Sequence, residues 1–317
     1  MKHRMEFLPW VATAGIAWSI GAWFNLFWFQ DPAWVTSIYQ QKIARAEQVK
    51  APRRILLVGG SSTHFGLSAE ELQEKFGIPV LNLGLHAGLG LDAIDKLVQD
   101  EIRPDDIVIL FPEHDLLAMK ENEELNILPT LVAFRSGHFS IIKDDQEGPE
   151  QLVNRLLLVG SPQFFHVVNA VKSALVGGKK PTWYNFNVGA NGDSLDSLSG
   201  GKPPFHPIEV SLSNDALERI RQFRSQVQQR HASLIIGIPW KLAMTNPQTQ
   251  QELQQVIQSL SQVAPVLYDP KSLNLKQDAS LFGDTSFHLT PKGRAMRTHE
   301  LARQLQPLLQ KVSAKRQ

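Results

Sequence analysis

The sequence predicts a doubly wound α/β domain preceded by one N-terminal transmembrane helix. Residues 7–29 carry no charged side chain, and a helix of that length spans the hydrocarbon core of a bilayer. Further along, short apolar runs alternate with amphipathic segments, which is the pattern of parallel strands joined by helices. With 317 residues, of which 43% are hydrophobic and 20% charged, the chain has the composition of a globular protein.

The apolar segment is predicted to be an uncleaved signal-anchor over residues 1–30. Trp10 near one end, with Trp28 and Trp34 near the other, resembles the aromatic belts of membrane interfaces. A cleaved signal peptide and a buried core helix are the alternatives, but the run is long for a signal peptide and no small-residue cleavage site follows it. Because long domains translocate largely regardless of charge, we expect the body on the extracytoplasmic side.

After the anchor we expect a polar stalk or linker over 31–52 and one α/β domain over 53–317. Ser68, with Glu71 three residues later, forms the start of a capping box, and Gly77 is a helix stop. Apolar runs and amphipathic stretches predict strands at 54–60, 78–84 and 105–113 and helices at 67–77 and 91–101.

The alternation stops between about 120 and 205, which we expect to be an inserted helical and loop segment. Its loop is rich in Gly, Pro, Asn and Ser, and long loops inside a compact domain are often functional. Thr290 and Pro291 predict the start of the last helix, as N-cap and first helical residue. The remaining predicted elements are helices at 151–160, 164–178, 214–230 and 248–262 and strands at 233–239 and 265–269.

Charge and composition exclude several classes of function. Lys and Arg number 32 against 31 Asp and Glu, so the chain lacks the basic footprint of a nucleic-acid-binding protein. The absence of cysteine excludes disulfides, zinc–thiolate sites, iron–sulfur clusters and cysteine nucleophiles. His64, His86 and His114 fall near the expected edge of the sheet without a metal-ligand spacing, so we expect neither a metal nor a cofactor.

Polar residues collect where the predicted strands end, at the edge where open parallel sheets bind ligands. Ser62 follows the first strand, where a tight turn can present a hydroxyl beside helix N-terminal amides. Asp284 and His288 precede the last helix and can supply a carboxylate and a base. We therefore expect a triad in which His288 takes the Ser62 proton while Asp284 orients the imidazole. Local turn and capping roles are the alternative.

Three segments of the chain resemble conserved sequence blocks of the SGNH (GDSL-like) hydrolase superfamily. Residues 60–66 (Gly-Ser-Ser-Thr-His-Phe-Gly) resemble its block I, residues 82–84 (Asn-Leu-Gly) its block II, and residues 283–293 its block V. The resemblance implies a flavodoxin-like parallel sheet of the SGNH type.

The resemblance also implies a role for each matching residue. Ser62 would be the nucleophile, His288 the base and Asp284 its partner. The amides of Ser62 and Gly84 would form the oxyanion hole.

The chain departs from the superfamily pattern in three places. Asp284 precedes the histidine by four residues where three are usual, and Ser61 replaces the block I aspartate. Residues 112–115 (Pro-Glu-His-Asp) replace the block III Gly-x-Asn-Asp, so the asparagine donor of the oxyanion hole is missing.

With its anchor, this variant is similar to extracytoplasmic O-acyltransfer proteins, namely the D-alanine transfer protein of teichoic-acid modification and the alginate O-acetylation proteins. Such proteins work with a polytopic membrane-bound O-acyltransferase, so the resemblance implies a partner of that type.

Four further residues are candidates for substrate binding. Glu113 could point into the site in place of the missing asparagine, or be a solvated carboxylate at the rim. Asn187, Asp193 and Trp183 in the long loop could contact substrate, Trp183 by stacking on a sugar ring. Turn formation and packing of the loop are the alternative roles for these three.

Residues 88–93 (Gly-Leu-Gly-Leu-Asp-Ala) match a dinucleotide-binding fingerprint, although the first glycine trails the strand by several residues. The sequence favours a membrane-anchored serine esterase or O-acyltransferase that acts on ester groups of an extracytoplasmic glycan. The alternatives are a catalytically inactive SGNH-like assembly or scaffold protein of an O-acyltransferase system and, less favoured, a dinucleotide-binding protein.

Overall fold

The computed structural model describes residues 2–119, 127–142, 149–161, 184–201, 203, 210–244 and 246–314. The helices are α1 (Lys2–Phe27), α2 (Gln30–Gln48), α3 (Ser61–Gly66), α4 (Ala69–Phe76), α5 (Gly90–Val98), α6 (His114–Ala118), α7 (Ile127–Ser136), α8 (Pro149–Val159), α9 (Asn214–Gln229), α10 (Pro247–Ser261) and α11 (Pro291–Ala314). The strands are β1 (Ile55–Gly59), β2 (Val80–Asn82), β3 (Ile107–Phe111), β4 (Ser233–Gly237), β5 (Lys241–Leu242), β6 (Val266–Leu267) and β7 (Leu275–Lys276).

The chain divides into two compact units. The smaller comprises Met1–Ser37 and Leu125–Phe186, and the larger comprises Ile38–Glu124 and Asn187–Gln317. The inserted segment therefore belongs with the N-terminal helix, and the α/β body forms the other unit.

The smaller unit is built around α1. Within it, Phe7–Phe27 has a mean hydropathy of 1.3 and is the one described segment that is long and apolar enough to cross a membrane. Helices α7 and α8 pack beside α1, and the buried Asn25 amide donates to the carbonyls of Val159 and Ser161 at 2.8 Å each. Helix α8 confirms the helix predicted at 151–160; the one predicted at 164–178 lies outside the described residues.

The larger unit contains a five-stranded parallel sheet with the order β2-β1-β3-β4-β6. This is a doubly wound strand order, in which β1 and β3 flank the point where the winding reverses. The predicted α/β class and parallel sheet are therefore confirmed. Strands β5 and β7 form a separate two-stranded parallel sheet, which the sequence analysis did not predict.

Both faces of the large sheet are buried, because alternate residues of each strand point to opposite sides. On one face, Leu57 and Ile109 pack in a cluster with Leu72 of α4 and Leu305 of α11. Leu56 points to the opposite face and is also fully buried, while α5 and α9 contact β1 and β4. Burial on both sides explains why these strands are apolar throughout.

Helix boundaries follow the predicted capping residues. The Ser68 hydroxyl accepts the Glu71 amide at 3.2 Å, and Gly77 ends α4 in the left-handed conformation at a φ of 64°. The capping box is not reciprocal, however, because the Ser68 amide donates instead to Thr298 Oγ1 at 3.0 Å.

The second half of α2 is part of the body, which differs from the separate stalk predicted over 31–52. Lys42 and Ala46 are buried, and Lys42 donates to the carbonyl of Asn82 at 2.9 Å. The fully buried Arg54 donates to the carbonyl of Ala46 at 2.7 Å and pairs with Asp106 at 2.6 Å. Two buried cations thus fix α2 to the sheet, although its composition is that of an exposed helix.

Candidate functional site

The loops that follow β1 and β3 meet at the reversal point of the sheet. Gly59 and Phe111 are paired at the ends of these strands. Helix α3 begins shortly after β1 and carries Ser62, and Glu113 follows β3. The Ser62 amide donates to Glu113 Oε1 at 2.6 Å, so the two loops are joined by a direct hydrogen bond.

Ser62 is only 6% exposed. Its hydroxyl makes no hydrogen bond of normal geometry with a described residue, but it lies close enough to the Glu113 carboxyl group to lower the pKa of that group. The Ser62 hydroxyl and the Glu113 carboxyl group are therefore neighbours in the buried site. The preceding Gly60 makes room for this arrangement, because a Cβ there would collide with the Glu113 carboxyl group.

Glu113 is 1% exposed. Burial is the largest influence on its carboxyl group and raises the pKa. The amide and hydroxyl of Ser62 and the charge of His288 lower this pKa, and Asp115 raises it. The net direction is upward, so Glu113 holds its proton to a higher pH than an exposed glutamate. Its second oxygen, Oε2, forms no hydrogen bond with any described residue.

Asp284 and His288 form a side-chain pair, with Asp284 Oδ1 2.9 Å from His288 Nδ1. Thr285 Oγ1 accepts the amides of Phe287 and His288 at 3.2 and 3.0 Å. The Gly283 amide donates to the carbonyl of His288 at 2.8 Å. This tight turn brings the carboxylate onto the imidazole across four residues, so the unusual spacing does not prevent the pairing.

The acid–histidine pair lies beside the helix that carries Ser62. The ring of Phe65, one turn after Ser62 on α3, lies 4.5 Å from the His288 ring between centroids. His288 is also close enough to Glu113 to lower its pKa. The structure therefore places the Asp284–His288 pair near Ser62 and Glu113, although more than two hundred positions separate Ser62 from Asp284 in the sequence.

The two amides expected to form the oxyanion hole already have acceptors. The Ser62 amide donates to Glu113, and the Gly84 amide donates to Asn82 Oδ1 at 3.0 Å. Asn82 is itself held, because its Nδ2 donates to the carbonyl of Thr63 at 3.1 Å. As arranged here, both amides have internal acceptors, so an oxyanion hole formed by Ser62 and Gly84, which stays a prediction, would require these acceptors to be displaced. The Asn82 contact was not anticipated, although an asparagine two residues before a glycine is a common local acceptor.

The structure describes two of the three loop residues that were candidates for substrate binding, Asp193 and Asn187. The Asp193 carboxylate accepts the amides of Ala69 and Glu70 at 2.8 and 3.0 Å, at the N-terminus of α4. Asp193 thus ties its loop to a helix end, which is the loop-fixing role given as its alternative; a contact with substrate stays a prediction. Asn187 is exposed, and Trp183 lies outside the described residues.

A small cavity adjoins Ser62. Its volume is about 10 Å³, room for about one water molecule. It is lined by residues from α3, β3 and the segments around positions 240 and 288, including Ser62, Phe111, Trp240 and Phe287.

The dinucleotide fingerprint lacks its required setting. Gly88 lies in a 3₁₀ turn, Ala87–Leu89, well after the last residue of β2, whereas the fingerprint places its first glycine in the turn directly after the strand.

No family model matches the chain, and no curated protein matches it either.

Proposed function

We propose that the protein is a membrane-anchored serine esterase or O-acyltransferase that acts on ester groups of an extracytoplasmic glycan. The observation that carries this proposal is the Asp284–His288 pair, 2.9 Å apart, beside the helix that bears the buried Ser62. A carboxylate, an imidazole and a hydroxyl at the reversal point of a parallel sheet are the groups that nucleophilic acyl transfer requires.

In the proposed reaction, Ser62 Oγ attacks the ester carbonyl while His288 Nε2 accepts the hydroxyl proton. Asp284 stabilises the imidazolium that forms. The tetrahedral intermediate collapses, the alcohol leaves with the proton from His288, and an acyl-serine remains. A sugar hydroxyl or water then attacks this ester while His288 takes its proton. The bond between the acyl group and Ser62 Oγ breaks, His288 returns the proton to Oγ, and the new ester or the acid leaves. Exclusion of water decides between transfer and hydrolysis.

The membrane location and the partner are parts of the same proposal. Helix α1 has the length and composition of a membrane anchor, and an anchor keeps the body close to a membrane-bound source of acyl groups. The resemblance to O-acyltransfer proteins adds a polytopic membrane-bound O-acyltransferase as the partner that would supply them.

A catalytically inactive assembly protein is the second candidate. Two observations favour it: the amides of Ser62 and Gly84 both have internal acceptors, and the cavity beside Ser62 holds about one water. A protein that kept the fold and lost the chemistry has no need for an open site.

A fluorophosphonate probe distinguishes the two candidates, because it reacts with serines that are activated as nucleophiles. The full-length chain in detergent is expected to be labelled, the Ser62→Ala variant to lose the label, and the His288→Ala variant to lose most of it. Ser61→Ala is the matched control, since Ser61 is the adjacent buried serine, and it should keep the label. A folded wild type that takes no label contradicts the enzyme and supports the assembly protein.

A further inference from the structure

Glu113 lies in the block where the superfamily pattern has the asparagine donor of the oxyanion hole. The superfamily pattern has an asparagine in this block, and this chain has Pro112-Glu113-His114-Asp115 instead. Glu113 is nevertheless 1% exposed and contacts the backbone of Ser62. A buried ionised carboxylate beside an oxyanion would oppose the reaction, so its protonation state matters to the chemistry.

The two oxygens of Glu113 have different surroundings. Oε1 accepts the Ser62 amide at 2.6 Å, whereas Oε2 is buried and makes no hydrogen bond of normal geometry with a described residue. The Ser62 hydroxyl lies close enough to this carboxyl group to lower its pKa, so the carboxyl group is next to the proposed nucleophile. A neutral carboxylic acid has one carbonyl oxygen, which accepts, and one hydroxyl, which donates. The geometry matches that form, with the carbonyl on the Ser62 amide and the hydroxyl left to donate.

We propose that Glu113 acts as a neutral carboxylic acid whose Oε2–H donates a hydrogen bond to the oxyanion that develops when Ser62 attacks an ester. This inference rests on the proposed function and assigns Glu113 as a catalytic residue. The proton stays on Glu113 throughout, so the step adds no proton transfer to the mechanism. Glu113 thereby replaces the missing asparagine and the Ser62 amide, which is already engaged.

The charged groups around Glu113 set the conditions for this role. Burial raises the pKa of Glu113 and Asp115 raises it further, while Ser62 and a protonated His288 lower it. Because the donating form is the protonated one, activity should be present below the Glu113 pKa and fall as the pH rises through it.

Two substitutions test the proposal, with hydrolysis of p-nitrophenyl acetate by the full-length chain in detergent as the assay. Glu113→Gln keeps an acceptor for the Ser62 amide and supplies an N–H donor that does not ionise. It should retain kcat within about tenfold and lose the decline at high pH. Glu113→Met has neither group and should lower kcat by about 10²–10³, the usual effect of removing one oxyanion donor. Asp115→Asn, at an exposed neighbour, is the control: it should keep the decline and move it to lower pH, because it removes a charge that raises the Glu113 pKa.

The proposal is overturned if Glu113→Gln is as inactive as Glu113→Met, or if Glu113→Met is as active as the wild type. Infrared difference spectroscopy of the wild type against Glu113→Gln gives a readout that does not depend on turnover. A protonated-carboxyl band at neutral pH that is absent from the variant supports the neutral acid, and its absence from the wild type refutes it. A wild type that shows this band but takes no fluorophosphonate label contradicts the proposed function and with it the catalytic role, but leaves the protonation state established.

Discussion

Replacing Asp284 by Asn tests the proposed catalytic role of the Asp284–His288 pair most directly, because the change removes a charge and keeps the size of the side chain. Asp284 lies 2.9 Å from His288 Nδ1 and its side chain is 46% exposed. Two unit charges about 4 Å apart attract by about 1 kcal/mol in water and about 4 kcal/mol near a protein surface. Because the Asp284 side chain is half exposed, the stabilisation of the imidazolium lost in the variant should lie between these limits, at roughly 2 kcal/mol. We therefore expect kcat to fall by about 30-fold, which is less than the roughly 10⁴-fold loss for a buried triad carboxylate.

The assay is p-nitrophenyl acetate hydrolysis, with kcat and KM measured separately, since a charge that acts on the imidazolium changes kcat and leaves KM nearly constant. Asp278→Asn is the matched control. That carboxylate caps the short turn after it through the Ser280 amide at 2.9 Å, and Asn can do the same. A rate for Asp284→Asn within twofold of the wild type would refute the reasoning, as would an equal loss in Asp278→Asn.

Two further predictions concern the body and its location. Arg54→Met removes the partner of the buried Asp106 and should lower the free energy of unfolding by about 3–5 kcal/mol, measured by urea unfolding. Adding Asp106→Leu should recover part of the loss, and a single variant as stable as the wild type would contradict a buried ion pair. Ser225→Cys places one thiol on the exposed surface of α9 in a chain without cysteine. A membrane-impermeant maleimide should label it in intact cells that express the full-length chain, and labelling only after lysis would place the body on the cytoplasmic side.

The parts of the fold predicted correctly are those whose causes are local. Apolar runs such as 54–60 mark strands buried on both faces, and Ser68, Gly77 and Pro291 mark helix ends through their own backbone preferences. The small sheet of β5 and β7 was not predicted, because strands of two residues leave no periodicity to detect.

The roles of individual polar residues depended on contacts that are distant in sequence. Lys42 belongs to a helix of exposed composition, and only the carbonyl of Asn82 explains its burial. Asp193 lies in a loop suited to substrate binding, yet it accepts amides from the start of α4. The Asp284–His288 contact could be predicted because a single turn creates it.

The hydrogen bonds of the Ser62 and Gly84 amides limit how an oxyanion could be stabilised at this site. A buried amide must have an acceptor in the resting protein, so an oxyanion hole without bound substrate needs water or a replaceable side chain. Asn82 is a poor candidate for displacement, because its side chain also donates to the carbonyl of Thr63. Moving it away would leave both that carbonyl and the Gly84 amide without this hydrogen bond. Glu113 Oε1 accepts the Ser62 amide, and Oε2 makes no hydrogen bond of normal geometry with a described residue. In the proposed reaction Glu113 therefore either donates to the oxyanion or moves aside to release the Ser62 amide. Glu113→Met separates these cases, because a side chain that cannot donate lowers kcat only in the first.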